Sequence, residues 1–281
     1  MQDGTYNSYP ELAQNARILV NIATYNEKDN IGKLIEEIHR YVHAAHVLVV
    51  DDNSPDGTGL LVDQLSSVDN RISVIHRPGK LGLGTAIIEA MNYAIQKDYD
   101  FMVNLDADFS HPPSALPALL AGMIKNDVMI GSRYMAGGGT ANWALSRRFM
   151  SKAINMLVRM MFRMRVNDTS GGFRCYRVEQ LRATKIDAMI SRGYSFQQEM
   201  LFRCYLAGSL LGETPILFEN RKYGKSKVSW HESVRSLSTI IYLGFRSLLG
   251  IEKPAARQKS NGIRLHTSNF VIQSRQLRGA S

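Results

Sequence analysis

Short runs rich in Val, Ile and Leu alternate with longer stretches of helical periodicity through the first half of the chain. RILVNIAT (17–24), HVLVVD (46–51), RISVIH (71–76), FMVNLD (101–106) and DVMIG (127–131) predict strands. Between them, apolar residues recur at helical spacing near 29–42, 58–66, 83–97 and 114–124. Strands that are apolar on both faces and separated by helices predict an α/β fold with a mostly parallel sheet, covered on both sides. Ligands of such sheets bind beyond the carboxyl ends of the strands. Those ends carry TYNE, DDNSPDG and DADFS, so the polar residues gather where a site is expected.

After residue 131 the alternation breaks. A glycine-rich loop, RYMAGGGT, precedes a basic helix predicted over 146–165, then the turn NDTSGGFRCY and a helix near 195–207. A strand, TPILFEN (214–220), leads through RKYGKSK into a last helix, 231–249. On the basic helix, Arg148, Lys152, Asn155, Arg159 and Arg163 share one stripe, with Phe149, Met156, Leu157, Met160, Met161 and Met164 opposite. The pattern fits a helix lying in a membrane interface and equally a core helix with a charged outer face. The last helix has a similar apolar face: Leu237, Ile240, Ile241, Phe245, Leu248 and Leu249. From Ile251 the tail holds six Lys/Arg against one Glu and reads as a mobile, basic arm.

Composition narrows this little: 44% of the 281 residues are hydrophobic and 21% charged, as in most globular chains. The net charge of +9 favours an anionic partner, whether nucleic acid, anionic lipid or a phosphorylated substrate. Cys175 and Cys204 match no zinc or redox spacing and are expected to be reduced core thiols. The polar N-terminus has no signal-peptide pattern, and no run is long enough to span a bilayer.

The chemistry concentrates at three strand ends. Asp106 and Asp108 stand one residue apart, and in an extended segment both would point to one side. Two carboxylates so placed suit a hard cation such as Mg²⁺ or Mn²⁺, although the same spacing also serves a turn. Asp51 reads as a ligand for a ribose or base, while Asp52 is explained equally by a ligand and by turn chemistry. The first strand is not followed by G-x-G-x-x-G, which argues against a dinucleotide site. Gly82 and Gly84 permit a tight turn and close backbone approach. Arg133, Arg147, Arg148, Arg174, Arg221, Lys222, Lys225 and Lys227 supply cations for phosphate oxygens.

Read in order, TYNE, VVDDNSPDGTG, KLGLGTA, DADFSHPP, GSRY, SRRFMSKAIN, DTSGGFRCYR, YSFQQEM and RKYGKSK resemble family 2 glycosyltransferases with a GT-A fold. Within them the chain is similar to the dolichol-phosphate (polyprenol-phosphate) mannosyltransferases, over roughly residues 17 to 250. The resemblance implies a catalytic domain over 17–228, after an N-terminal extension (1–16) and before an interface helix (229–250) and the tail (251–281). It implies that Thr24, Tyr25, Glu27, Asp51 and Ala107 line the donor nucleotide. It places Asp106 and Asp108 on the metal of the donor diphosphate, and Arg221 and Lys227 over its phosphates. Arg133, Arg147 and Ser151 face the acceptor phosphate. Ala23 stands where proline is common, and Ser110 where some members have a glutamine metal ligand; Ser110 is left out of the metal set.

The implied reaction is inverting transfer of mannose from GDP-mannose to a polyprenyl phosphate, at the cytoplasmic face of a membrane, by a peripheral protein. A dianionic phosphate attacks without a general base; Glu199, the one tempting base, reads better as a positioning or arginine-pairing group. The catalytic set is then Asp108, Arg133 and Arg147. Rival readings are the same fold with UDP-glucose or another donor, a basic nucleic-acid-binding module, and a silent sugar-nucleotide sensor. No nucleic-acid motif supports the second. The resemblance also leaves room for a separate membrane protein that anchors the chain.

Overall fold

A computed structural model describes residues 16–191, 193, 195–219, 230–249 and 251, with backbone alone for 230–237 and 248. Strands β1 (Ile18–Thr24), β2 (His46–Asp51), β3 (Ile72–His76) and β4 (Phe101–Asp106) fall where the apolar runs predict them. Helices α1 (Lys28–Tyr41), α2 (Thr58–Val68) and α3 (Leu83–Gln96) connect them. Alternation along β1 sends Ile18, Val20 and Ile22 to one face, where Ile31, Leu34, Ile35 and Ile38 of α1 bury at helical spacing. Leu19 faces the other way, with Ala86, Ile87, Ala90 and Met91 of α3.

The chain continues through α4 (Leu116–Gly122), β5 (Val128–Ser132), β6 (Gly139–Thr140), α5 (Leu145–Phe162), β7 (Arg174–Arg177), α6 (Val178–Ala183), α7 (Phe196–Leu206), β8 (Leu211–Pro215), β9 (Leu217–Phe218) and α8 (Trp230–Leu248). The main sheet has the order β3-β2-β1-β4-β7-β5-β8, and β6 pairs with β9 in a two-stranded sheet. Only β7 runs antiparallel among the pairings described.

Three differences from the sequence reading have physical causes. β7 overlaps the end of the turn NDTSGGFRCY, because RCYR has arginine at both ends and no apolar run, and the short α6 follows it where no element is expected. The strand expected over 214–220 divides at Ile216, whose N–H donates to Ser132 and whose carbonyl accepts from Gly139, handing the chain from one sheet to the other. Helix α5 ends at Phe162 because Arg163 takes a left-handed φ of 55°.

Helices α5 and α8 pack together, with Val158 and Phe162 of one and Ile240 and Leu243 of the other buried in the same cluster. Leu145, Phe149, Met150, Met156 and Met160 remain exposed on α5, as do Tyr242 and Phe245 on α8. No helix among the described residues is long and apolar enough to cross a membrane. Residues 1–15 and the tail beyond Ile251 lie outside the described residues.

Candidate functional site

Strand register brings the acidic ends together. Thr24 stands opposite Asp51, and Ala23 opposite Asp106, so β1, β2 and β4 finish side by side. Asp51 accepts hydrogen bonds from Thr24 Oγ1 (2.8 Å), Ser54 N (2.9 Å) and Ser54 Oγ (2.5 Å), so it also organises the turn that follows it. Asp52 is buried in an ion pair with Arg77 at 3.1 Å and accepts from the backbone of Gly82 and Leu81. Burial nevertheless pushes its carboxyl above the usual range. Asp52 therefore pins the Lys80–Gly82 loop, where Gly82 takes a φ of 99° open to glycine. The pinned loop holds the Lys80 ammonium 4.2 Å over the Tyr25 ring. Lys80 escaped the sequence reading because only the fold sets it beside Tyr25. Glu27 Oε2 accepts from Asn30 (2.9 Å), at the start of α1.

β4 stops at Asp106, and the chain turns through Ala107, Asp108 and Phe109, whose φ is 60°. The two aspartates thus reach the site from a strand end and a turn, not from one extended segment. Asp108 Oδ1 accepts from Ser110 N (3.1 Å) and Ser110 Oγ (2.6 Å), so Ser110 braces this carboxylate. Fully buried His111 lies alongside, its Nδ1 accepting the Asp106 N–H at 3.1 Å and its ring stacked on Phe173. Burial lowers its pKa, opposed by the charges of Asp106 and Asp108, and the accepting Nδ1 leaves the neutral ring's proton on Nε2.

Gly172 lies across from these carboxylates. A Cβ there would sit 3.4 Å from Gln197 Nε2, 3.6 Å from His111 Cε1 and 3.8 Å from Asp106 Oδ1, so the glycine leaves room beside Asp106. Among the described residues no three His, Cys, Asp or Glu side chains converge on a metal position. Asp106 and Asp108 would supply two carboxylate ligands, leaving the rest to a diphosphate and water. Mg²⁺ is commonly held this way, so the residues fit such an ion.

On the other side of the site stand the acceptor candidates. Arg133 is almost fully buried, and its Nε and Nη2 donate to the two oxygens of Asp168 at 2.6 and 2.7 Å. Nη2 also donates to Ser170 Oγ at 2.7 Å. Burial opposes charge on Asp168, but Arg133 outweighs it and holds the carboxyl below its usual range. The arginine read as a free phosphate fork is thus already committed, and Nη1 is its remaining nitrogen without a hydrogen bond among the described residues. Arg147 is exposed, its guanidinium 3.8 Å over the Trp143 ring. Ser151 Oγ lies 2.6 Å from the Tyr134 hydroxyl, on α5. The three predicted acceptor residues therefore converge around Tyr134 and Trp143.

Other candidates are placed elsewhere. Arg174, expected on a phosphate, is fully buried and donates to the carbonyls of Thr169 and Gln197 at 2.7 and 2.6 Å. Arg148 donates to the Thr140 carbonyl. Asn155, expected on an outer stripe, points inward: Oδ1 accepts from Thr169 N, Thr169 Oγ1 and Ser170 N. It ties α5 to the loop bearing Asp168. Buried Glu199 accepts from Ile190 N and Ser191 N and pairs with Arg203, consistent with a positioning role. Cys175 and Cys204 are free, buried thiols, the latter pushed up to about 12 by burial. Arg221, Lys222, Lys225 and Lys227 lie outside the described residues.

The sequence profile described as Glycosyl transferase family 2 matches residues 19–184. An undecaprenyl-phosphate mannosyltransferase of Micrococcus luteus is 41% identical over 213 residues, covering 76% of this chain and 88% of the relative. A polyprenol monophosphomannose synthase of Mycolicibacterium smegmatis is 37% identical over 235 residues, covering 83% and 89%. Crystal structures of glucosyl-3-phosphoglycerate synthase from Mycobacterium tuberculosis share the fold. One, in complex with Mn²⁺, UDP and phosphoglyceric acid, gives a TM-score of 0.58 at 15% identity, covering 89% of this chain and 83% of that one.

Proposed function

The chain belongs to glycosyl transferase family 2, and from that premise we propose that it transfers mannose from GDP-mannose to a polyprenyl phosphate. The observation that carries the reading is that both kinds of group the reaction requires lie past the carboxyl ends of the parallel strands. Asp106 at the end of β4 and Asp108 in the turn after it offer carboxylates for a metal-bound diphosphate, and Arg133 and Arg147 stand by for a second phosphate.

Each residue then has a task. Thr24, Tyr25, Glu27, Asp51 and Ala107 border the nucleotide, and Asp106 and Asp108 would hold a divalent ion, which would supply charge to offset the leaving diphosphate. Asp168 fixes the Arg133 fork so that Nη1 meets the acceptor phosphate, and Arg147 approaches from the open side. Positioning one anion against another is the main task, because a dianionic phosphate needs no base. The product is β-linked if attack occurs opposite the nucleotide. The exposed apolar side chains of α5 and α8, with Lys152 and Arg163 nearby, suit a peripheral position at the cytoplasmic face of a membrane.

Incubating purified protein with Mg²⁺ or Mn²⁺, a polyprenyl phosphate and either radiolabelled GDP-mannose or UDP-glucose tests the donor. Lipid-linked mannose is expected; label transferred only from UDP-glucose would replace the donor, and no lipid-linked product would end the proposal.

A further inference from the structure

Trp143 stands beside both acceptor arginines. Arg147 lies 3.8 Å from its ring centroid and Arg133 5.5 Å, while Phe218 meets the ring edge-on at 5.5 Å. The residue is 8% exposed, and its Nε1–H, screened from solvent, has no acceptor among the described residues. An indole N–H is a donor only, and a buried donor without an acceptor carries an unrecovered desolvation cost. Such a group in a native fold calls for a ligand or water to complete it.

We infer that Trp143 is a phosphate-binding residue of the acceptor site: its indole N–H donates to a phosphate oxygen, and its ring face holds Arg147 in place. The inference rests on the function proposed above and adds a residue to it. A terminal phosphate offers three non-bridging oxygens. Arg133 Nη1, Arg147 and the Trp143 N–H supply three donor groups from different side chains. The third is neutral, so it adds direction without crowding another cation beside Arg133 and Arg147. The ring's π face attracts guanidinium, which keeps Arg147 near the donor it serves. Arg147 is itself exposed, so an anion approaching the ring meets its guanidinium as well.

Indole NMR of the uniformly ¹⁵N-labelled full chain reads this directly, because the sequence has two tryptophans and Trp230→Phe assigns the signals. Farnesyl phosphate is expected to shift the Trp143 N–H resonance, whereas farnesol and GDP are not. A shift with GDP but not farnesyl phosphate would move the contact to the donor diphosphate and overturn the acceptor assignment. An equal shift with farnesol, or none with any probe, would overturn phosphate binding. In the transfer assay, Trp143→Phe keeps an aromatic face, though a smaller one, and removes the N–H. It is expected to raise KM for the lipid phosphate roughly 10-fold, with KM for GDP-mannose unchanged, as for one hydrogen bond to a charged group. Unchanged or equally raised KM values would contradict it. If Trp143→Phe does not fold, the wild-type titration decides. If wild-type protein transfers no mannose, the function fails while the titration still reports on the phosphate contact.

Discussion

Asp168 carries no obvious signal in the sequence, yet the position of Arg133 depends on it. The partners lie 35 residues apart, and no local pattern links them. Removing the charge while keeping the shape leaves a buried guanidinium without its counter-ion. Asp168→Asn is therefore expected to cost about 3–5 kcal/mol in urea unfolding; a loss below about 1 kcal/mol would mean the pair does not hold Arg133. Gly172 gives the opposite kind of test. Its Cβ would meet neighbours only at ordinary contact distances, but in the space beside Asp106. Gly172→Ala should fold within about 0.5 kcal/mol of wild type yet lose roughly 10- to 100-fold in kcat/KM. Full activity would show that substrate does not use this space. Asp106 and Asp108 were legible because a strand end announces itself. Trp143 was not, because its meaning lies in which arginines surround it.

At the scale of elements, periodicity identified α5 as amphipathic but could not say which face turned inward. Phe149, Met156 and Met160 form the outer side, while Asn155 turns inward with five hydrogen bonds to the chain around it. An apolar stripe facing solvent fits a lipid surface, and the expectation is quantitative. Met156→Glu with Met160→Glu should weaken flotation with anionic liposomes at least ~10-fold, since each side chain contributes roughly 1.5–3 kcal/mol when fully buried. Thermal stability should hardly change, because both side chains are exposed. Flotation equal to wild type would remove α5 from the membrane contact. β7 escaped for a different reason: four residues flanked by arginines give no period to detect, although the sheet accepts them by pairing on both sides.

Across the whole molecule, the parallel sheet and its layers could be read from apolar runs, whereas the strand order beyond β4 could not, since pairing is set by distant contacts. Stability against acid is also a property of this scale. His39 and His46 both have pKa values lowered from 6.5, first by burial and then by nearby arginines. The folded state keeps them neutral while the unfolded chain protonates near 6.5, so it binds more protons as pH falls. Stability present above pH 6.5 should therefore decline below it, towards the folded-state values. Urea midpoints measured from pH 8 to 5.5 check the sign, and a midpoint that rises on acidification would contradict it.

The place of β7 between β4 and β5 has a consequence in time. β1 to β4 neighbour one another within the first 106 residues, so the nucleotide side of the sheet can form from early chain segments. The other half waits for residue 174 to dock against β4 before β5 and β8 have a place to join. Long-range pairing of this kind is slow. During synthesis or refolding, protection of β1 to β4 should precede protection of β7, and the pulse-labelling order of their amides would record the donor half maturing first.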